Sequence, residues 1–496
     1  MERSATSPAN NNIRDEELYV ARTEQRAPLA VGTIRLDSVV LLASDVILGL
    51  LVWGASLPIQ SVWGHGSLTN VAFVGIVATV MIWLGIRALL GLYPGYGMDE
   101  AEELRRQFLS VMATLAIVAI FAVAFQLGYA LSRPLLLAGI LGLLFLAPVT
   151  RHLTKAAMKK GGMWGKPVIV IGAGEVGHRL VSTLQNEWKL GFRPVAVFDD
   201  RLIPTEAEIA GVPFGGTLAD AIHIARRHNI NTAIFAMPHT RREDLAPLVG
   251  RASVSFRHVM IIPNLGGMTN SAAVARDFAG TFGVEIKHNL LDPWTRRTKR
   301  ALDLCGAAMG SLLLCPVVAA IVVLIKVDSR GPAFYGHRRL GASDEHFRCW
   351  KFRTMHVNAE HLLDKYLQDN PKLQAEWEQN QKLRDDPRVT RIGWYLRKTS
   401  LDELPQLWNV FRGEMSLTGP RPIVDAEVHK YGEVYELYKR IRPGMSGFWQ
   451  VSGRSDMDYG ERVAMDSYYV RNWSVWLDLV ILARTAKIVL LSRGAY

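Results

Sequence analysis

The stretch from Arg397 to Pro422, RKTSLDELPQLWNVFRGEMSLTGPRP, combines an adjacent Asp-Glu pair with an arginine locked between two prolines. Ser400 and Glu403 stand in S-x-x-E register, which reads as a capping box with Ser400 at the N-cap. Asp402 then falls in the first helical turn, where unpaired backbone N–H groups and the helix dipole favour an anion, so it is expected to stay ionised at neutral pH. Capping alone would account for both carboxylates. The GPRP segment points further: Pro420 fixes its own φ and Pro422 drives Arg421 toward an extended backbone, so the guanidinium projects from a stiff turn. A rigid planar fork suits a phosphate.

The rest of the chain must position these groups. At 496 residues it exceeds one ordinary domain, and 49% hydrophobic residues with a mean hydropathy of +0.11 point to membrane segments. Four apolar stretches precede Arg151, at about Leu36–Leu57, Asn70–Tyr93, Phe108–Leu131 and Pro134–His152, each near the roughly 20 residues that cross a bilayer core. None carries the cleavage pattern of a signal peptide. Arg14, Arg22, Arg26 and Arg35 precede the first, Arg105 and Arg106 lie between the second and third, and Arg151, Lys155, Lys159 and Lys160 lie at or beyond the end of the fourth. The positive-inside rule therefore places the N-terminus and everything after Lys155 in the cytoplasm. The net charge of +11 reads as attraction to anionic lipid and an acidic substrate, and no helix-turn-helix, RNA-binding or zinc-finger pattern speaks for nucleic acid. Cys305, Cys315 and Cys349 show neither metal spacing nor a disulfide framework, which suits a reducing compartment. Residues 1–35 form a polar tail expected to be disordered.

From Lys166 the pattern alternates strands and helices. KPVIVIGAGEVGHRLVSTL reads as strand, tight turn and helix, with Gly172, Gly174 and Gly177 in G-x-G-x-x-G register, and RPVAVFDD as a second strand ending in Asp199 and Asp200. Further strands are expected at NTAIFAMP and HVMIIPN, giving a Rossmann-like domain. Two readings of the glycines stand: a nucleotide at the helix N-terminus with a ribose contact from Asp199 or Asp200, or glycines that serve only the turn and its packing. A fifth apolar run, Ala301 to Ile325, is long enough to span, yet Arg296, Arg297, Lys299 and Arg300 precede it and Lys326 and Arg330 follow. Pro316 removes a hydrogen bond from its middle and favours a kink, so the run is expected to be a re-entrant helix, broken at Pro316, with both ends on one side. Tyr435 and Lys439 spell Y-x-x-x-K, the pair of nucleotide-sugar dehydratases and epimerases, but they lie far downstream of the glycine turn.

KFRTM (Lys351 to Met355), LRKTSLDELPQLWNV (Leu396 to Val410), MSLTGPRP (Met415 to Pro422) and RPGMSGFWQVSGR (Arg442 to Arg454) together resemble the bacterial polyprenyl-phosphate hexose-1-phosphate transferases. The chain is similar to the large, monotopic form of that family over nearly its whole length, most densely after Trp294. The resemblance implies a fold of a four-helix membrane bundle (36–153), an α/β Rossmann-like domain (154–290) and a C-terminal α+β catalytic domain (291–496) with a re-entrant helix (301–325). It implies that hexose 1-phosphate, with galactose favoured and glucose the alternative, passes from a UDP-hexose to undecaprenyl phosphate with release of UMP, the first membrane step of O-antigen, capsule or exopolysaccharide synthesis. Asp402 would be the nucleophile of a covalent phosphosugar aspartate, and Glu403 would assist in metal binding and proton handling. Mg²⁺ would bridge the diphosphate and both carboxylates, with Arg421, Arg397 and Lys351 on the phosphates. The glycine-turn domain would serve regulation or assembly. Inner-membrane lipids and a second copy of the chain are the expected partners. Arg442, Gln450 and Arg454 lie in family-like segments without a role, and Cys315 stands where the family often has serine. A silent membrane scaffold or nucleotide sensor would leave SLDELP and GPRP unexplained.

Overall fold

The computed structural model describes residues 36–63, 70–124, 133–201, 207–263, 273–278, 281–286, 290, 293–357, 359, 386, 388–452 and 458–491. The N-terminal tail 1–35 and Arg454 lie outside them. The chain divides into two compact units, Met1–Gly267 and Met268–Tyr496.

The first unit opens with helices α1 (Leu36–Trp63), α2 (Asn70–Leu89), α3 (Glu100–Ala124) and α4 (Arg133–Lys160). Leu36–Pro58, Glu100–Ala124 and Pro134–Lys160 are long and apolar enough to cross a membrane by length and composition, whereas Val74–Leu89 is a shorter apolar helix. Trp53 and Trp83 fill the bundle core. Close packing there depends on small residues, because a Cβ on Gly139 would lie 2.6 Å from the Trp53 ring. The buried Arg87 meets its charge partner inside the bundle, with Nε 3.0 Å from Asp45 Oδ2, as burial of an ion requires.

The α/β part of this unit follows as β1 (Lys166–Ile171), α5 (Glu175–Asn186), β2 (Phe192–Phe198), the short pair β3 (Glu208–Ile209) and β4 (Val212–Pro213), α6 (Leu218–Arg227), β5 (Thr232–Phe235), α7 (Arg242–Ser253) and β6 (His258–Ile261). Four strands form a parallel sheet in the order β2-β1-β5-β6. Val168 to Ile171 are all buried, the unbroken apolar run of a strand covered on both faces. At the turn after β1, Gly172 has φ +120°, and a Cβ on Gly177 would lie 1.9 Å from the Gly172 carbonyl oxygen. Only hydrogen fits at Gly177, which lets α5 approach the strand end.

The second unit begins with the antiparallel hairpin β7 (Ala273–Phe278) and β8 (Thr281–Ile286), then α8 (Pro293–Asp328). It continues through the antiparallel pair β9 (Phe334–Leu340) and β10 (His346–Phe352), α9 (Arg391–Thr399), α10 (Gln406–Arg412), and β11 (Ser416–Thr418), which pairs in parallel with β12 (Gly444–Ser446). Short helices α11 (Val428–Tyr431), α12 (Tyr435–Tyr438) and α13 (Phe448–Val451) surround this pair, and α14 (Tyr459–Asn472) and α15 (Val475–Leu491) close the described chain.

Helix α8 holds the fifth apolar run. It is one 36-residue helix that includes Pro316. Proline removes one hydrogen bond and leaves the bonds on either side intact. The same C-terminal body packs against it before and after the proline: Ala307 lies in a cluster with Leu407, Val410 and Leu417, and Ile321 and Ile325 in one with Phe352 and Leu396. Met309, Leu312, Leu313, Val323 and Val327 stay exposed, leaving a long apolar stripe along the helix.

Candidate active site

Two hairpin strands and two helix ends bring the predicted carboxylates to a lysine. Thr390 caps α9 by accepting the Gly393 N–H at 3.0 Å, and the helix stops at Ser400, which adopts left-handed φ 55° and ψ 17°. Leu401 to Glu403 then form a single 3₁₀ turn. This corrects the capping box. An N-cap needs an extended backbone, whereas Ser400 is the left-handed residue that ends the preceding helix and makes no side-chain cap bond.

Freed from capping, Glu403 turns to β10, where its Oε1 accepts from Lys351 Nζ at 2.7 Å. Asp402 Oδ2 lies 3.5 Å from the same ammonium. Asp402 is 9% exposed. Burial pushes its carboxyl above the usual range and Glu403 adds to that, outweighing Lys351 and Arg397. The direction is opposite to the one expected from a helix dipole, because a single 3₁₀ turn supplies little dipole and desolvation dominates. For Lys351 burial opposes the charge, but Glu403 and Asp402 prevail and hold the ammonium above its usual range.

Arg397 sits in the last turn of α9, with Nε donating to Thr354 Oγ1 at 3.0 Å. Burial lowers its pKa while the field of Asp402 raises it, so it borders the carboxylates. Arg421 does not join them directly. Its guanidinium lies 5.9 Å from the Trp449 ring centroid, its carbonyl accepts from Tyr438 OH at 3.1 Å, and among the described residues it has no ion pair with Asp402 or Glu403. The Cys349 thiol connects the two sides. Burial pushes it up to about 11, with Lys351, Glu403, Arg339 and Arg421 all contributing to its field.

Sequence reasoning missed the supports. Asn409, fully buried, accepts from Trp350 N–H at 3.0 Å and donates to the Arg348 carbonyl at 2.7 Å and to Glu414 at 2.6 Å, so it fixes the strand bearing Lys351. Arg339 donates to the Pro422 carbonyl beside Arg421. Beneath the SLTGPRP segment, Lys299 Nζ reaches Asp303 at 3.0 Å, Thr418 at 2.8 Å and Asp478 at 2.7 Å. Asp478 also accepts from Thr418 Oγ1 at 2.5 Å, Tyr469 OH at 2.8 Å and Trp473 Nε1 at 3.0 Å. The signal for this network was a lone acid in the apolar run WLDLVIL, since a buried carboxylate demands partners.

The glycine turn of the first unit is occupied by its own acids. Asp199 accepts from the Ala173 and Arg201 N–H groups, both at 2.8 Å, and Asp200 accepts from Leu218 N–H at 2.7 Å. Gly174 begins α5 with no side-chain cap. Tyr435 and Lys439 both turn to Asp344, which accounts for that pair without oxidoreductase chemistry.

Residues 294–492 match the bacterial sugar transferase family, and residues 88–263 a family described as a CoA-binding domain. A UDP-galactose-lipid carrier transferase of Erwinia amylovora is 38% identical over 71% of this chain and 74% of its own length. The chain belongs to the bacterial sugar transferases. The undecaprenyl-phosphate galactose phosphotransferase of Salmonella typhimurium aligns with the transferase equally well, at 38% identity over 71% and 74%. A UDP-glucose:undecaprenyl-phosphate glucose-1-phosphate transferase of Escherichia coli is 30% identical over 68% of the transferase and 71% of its own length.

Proposed function

We propose that the transferase moves hexose 1-phosphate from a UDP-hexose to undecaprenyl phosphate through Asp402. The observation that carries this reading is the contact of Lys351 with both members of the Asp402–Glu403 pair, at 3.5 and 2.7 Å, in a buried turn of a chain whose relatives bear such names. An Asp402 oxygen attacks the sugar-side phosphorus, the bridging P–O bond breaks and UMP leaves. An oxygen of undecaprenyl phosphate then attacks the same phosphorus, the Asp402–phosphorus bond breaks and the carboxylate is restored. Two displacements replace one difficult direct transfer. Arg397 and Lys351 neutralise the phosphates beside the carboxylates, and Arg421, held on Trp449, clamps them from the GPRP turn.

The donor set fits Mg²⁺. Asp402 and Glu403 offer adjacent hard oxygens, and among the described residues no cluster of three or more His, Cys, Asp or Glu builds an all-protein cage, in keeping with an ion that takes one or two carboxylates and completes its shell with phosphate and water. When bound, the ion would supply charge neutralisation for the diphosphate. Lys351 balances the same carboxylates otherwise.

Galactose is the hexose we assign, because the two relatives named above for galactose are 38% identical, against 32% and 30% for two named for glucose. We place the enzyme in the inner membrane as a homodimer with its C-terminal unit in the cytoplasm. Packing of that unit on both halves of α8 supports a helix whose two ends share one side. The glycine-turn domain we assign to regulation or assembly. Rapid quench with sugar-labelled UDP-galactose, without lipid acceptor, should trap label on the protein, and UMP release should be faster with UDP-galactose than with UDP-glucose. Full turnover with no labelled adduct would remove the covalent route.

A further inference from the structure

A polar cavity of about 340 Å³ opens in the second unit away from Asp402; Arg296, Lys299, His346, Gly413, Arg440 and Arg442 are on its wall, and none of Asp402, Glu403, Lys351, Arg397 or Arg421 is. Its charges are unevenly matched. Lys299 is neutralised by Asp303 and Asp478, and Glu414 is engaged by Asn409 and Arg412. The side chains of Arg296, Arg440 and Arg442 have no hydrogen-bond or ion-pair partner among the described residues, and Glu345 is the one wall carboxylate also without one.

The cations are crowded. A Cβ placed on Gly413 would lie 3.4 Å from Arg300 Nη2 and 3.9 Å from Arg442 Nη2. Arg300 donates to the Val410 and Phe411 carbonyls at 2.6 and 2.9 Å, so it is pinned in place and lends its charge to the cavity without being free to leave. Burial lowers the Arg442 pKa, and the fields of Arg300 and Arg296 lower it further against Asp303. Three arginines against one unpaired carboxylate, Glu345, leave the cavity positive, which suits an anion. Arg296, Lys299 and Arg300 lie in the opening turns of α8, whose apolar stripe is exposed from Met309 to Val327, so the cavity stands where an apolar helix meets its basic flank. Such flanks meet lipid phosphates.

We propose that this cavity is a second phosphate site, separate from the reaction centre, that holds the phosphate of a lipid on Arg296, Arg440 and Arg442. The phosphate of an anionic phospholipid and that of undecaprenyl phosphate share this chemistry. Either would anchor the C-terminal unit at the depth where its acceptor arrives.

The test uses the full-length protein in nanodiscs of phosphatidylcholine with a minority of phosphatidylglycerol, and reads retained lipid by native mass spectrometry. The wild type should retain phosphatidylglycerol. Arg296→Gln and Arg442→Gln should each weaken retention about fivefold, the share of one basic residue near a lipid surface. Arg297→Gln should change nothing, because Arg297 is spent on the Trp294 ring 5.2 Å away and is not on the wall. Displacement by undecaprenyl phosphate at lower concentration than by inorganic phosphate would assign the site to the acceptor lipid, and equal displacement would assign it to the phosphate group whatever carries it. Labelling of Asp402 by donor, measured in each variant, reports folding and stands or falls independently; where it is lost, Arg440→Gln carries the same comparison. Unchanged retention in the glutamine variants, or an equal loss in Arg297→Gln, would reduce the cavity to part of a diffuse basic surface and overturn the proposal.

Discussion

The glycine turn of the first unit and the carboxylate turn of the second are both dense in motif residues, yet they dispose of their polar groups in opposite ways. In the first, Asp199 and Asp200 spend their oxygens on backbone N–H groups at 2.7–2.8 Å, and Gly172 and Gly177 are required by sterics alone. Each part has an internal reason to be there. In the second, Asp402 is buried against the preference of its charge, one lysine serves two carboxylates, and Ser400 holds a left-handed backbone. Polar groups satisfied by the fold maintain the fold, whereas groups held in uncomfortable states are kept so for a ligand.

The sharpest way to break this contrast is at Asp402. Asp402→Asn should leave the protein folded in the membrane and lower turnover by at least about 10³-fold, since an amide does not attack phosphorus, and label from the donor should no longer be trapped. Normal trapping in this variant would move the nucleophile elsewhere. Lys351→Met should follow, with a loss on the order of 10²-fold and a change in pH dependence whose sign is fixed. Asp402 reacts ionised, burial already raises its pKa, and Lys351 is the largest influence lowering it. Removing Lys351 therefore moves the acid limb of the labelling rate to higher pH. Arg397→Gln should move it the same way by less. An acid limb unmoved in both variants would mean that Asp402 does not set it.

Gly177→Ala should show the other half of the contrast. Its Cβ would meet the Gly172 carbonyl at 1.9 Å, forcing α5 away from β1 at a cost of about 1–3 kcal/mol. Thermal stability of the first unit should fall, while UMP release per folded molecule stays within about twofold of the wild type. Gly174→Asp, which adds a charge at the start of α5, should likewise spare the chemistry. Loss of turnover with retained stability would make the glycine turn part of the reaction.

The sequence exposed what depends on spacing. The strand segments between Lys166 and Ile261, the apolar helices and the residue types of the SLDELP and GPRP segments could all be read from period and motif, because burial on a sheet or in lipid imposes its period on the chain. What escaped it depends on long-range contact. The capping box at Ser400 failed because the local S-x-x-E pattern cannot say that α9 has just ended there. The neighbourhood of Asp402 failed in sign because desolvation comes from strands and helices far away in sequence, β10 above all. At Pro316 the local hydrogen-bond loss was visible, whereas the packing of both helix halves against the C-terminal body was not. Asn409 and Asp478 went unremarked since their partners are 59 and 179 residues distant.

The smallest effect on turnover is expected at Asp466, between the two extremes: it has a partner, yet its charge is not met. Tyr431 OH donates to Oδ2 at 2.8 Å, while Oδ1 is buried with no hydrogen bond. Burial raises the carboxyl to about 7, against the Tyr431 bond and the fields of Arg462 and Arg421. The ordinary value is near 3.9, so between about pH 4 and pH 7 the folded state binds more protons than the unfolded one. Stability must then fall as pH rises through that window and level off above it. Asp466→Asn keeps an acceptor for Tyr431 and removes the titration. Hydrogen exchange of α14 amides should be slower in the variant than in the wild type at pH 8, by up to about 10³-fold where opening frees Asp466, with little difference near pH 4 once each is corrected for intrinsic exchange. Parallel pH profiles in the two proteins would show that Asp466 is already ionised at a partner the fold provides, and would move it to the side of the glycine turn.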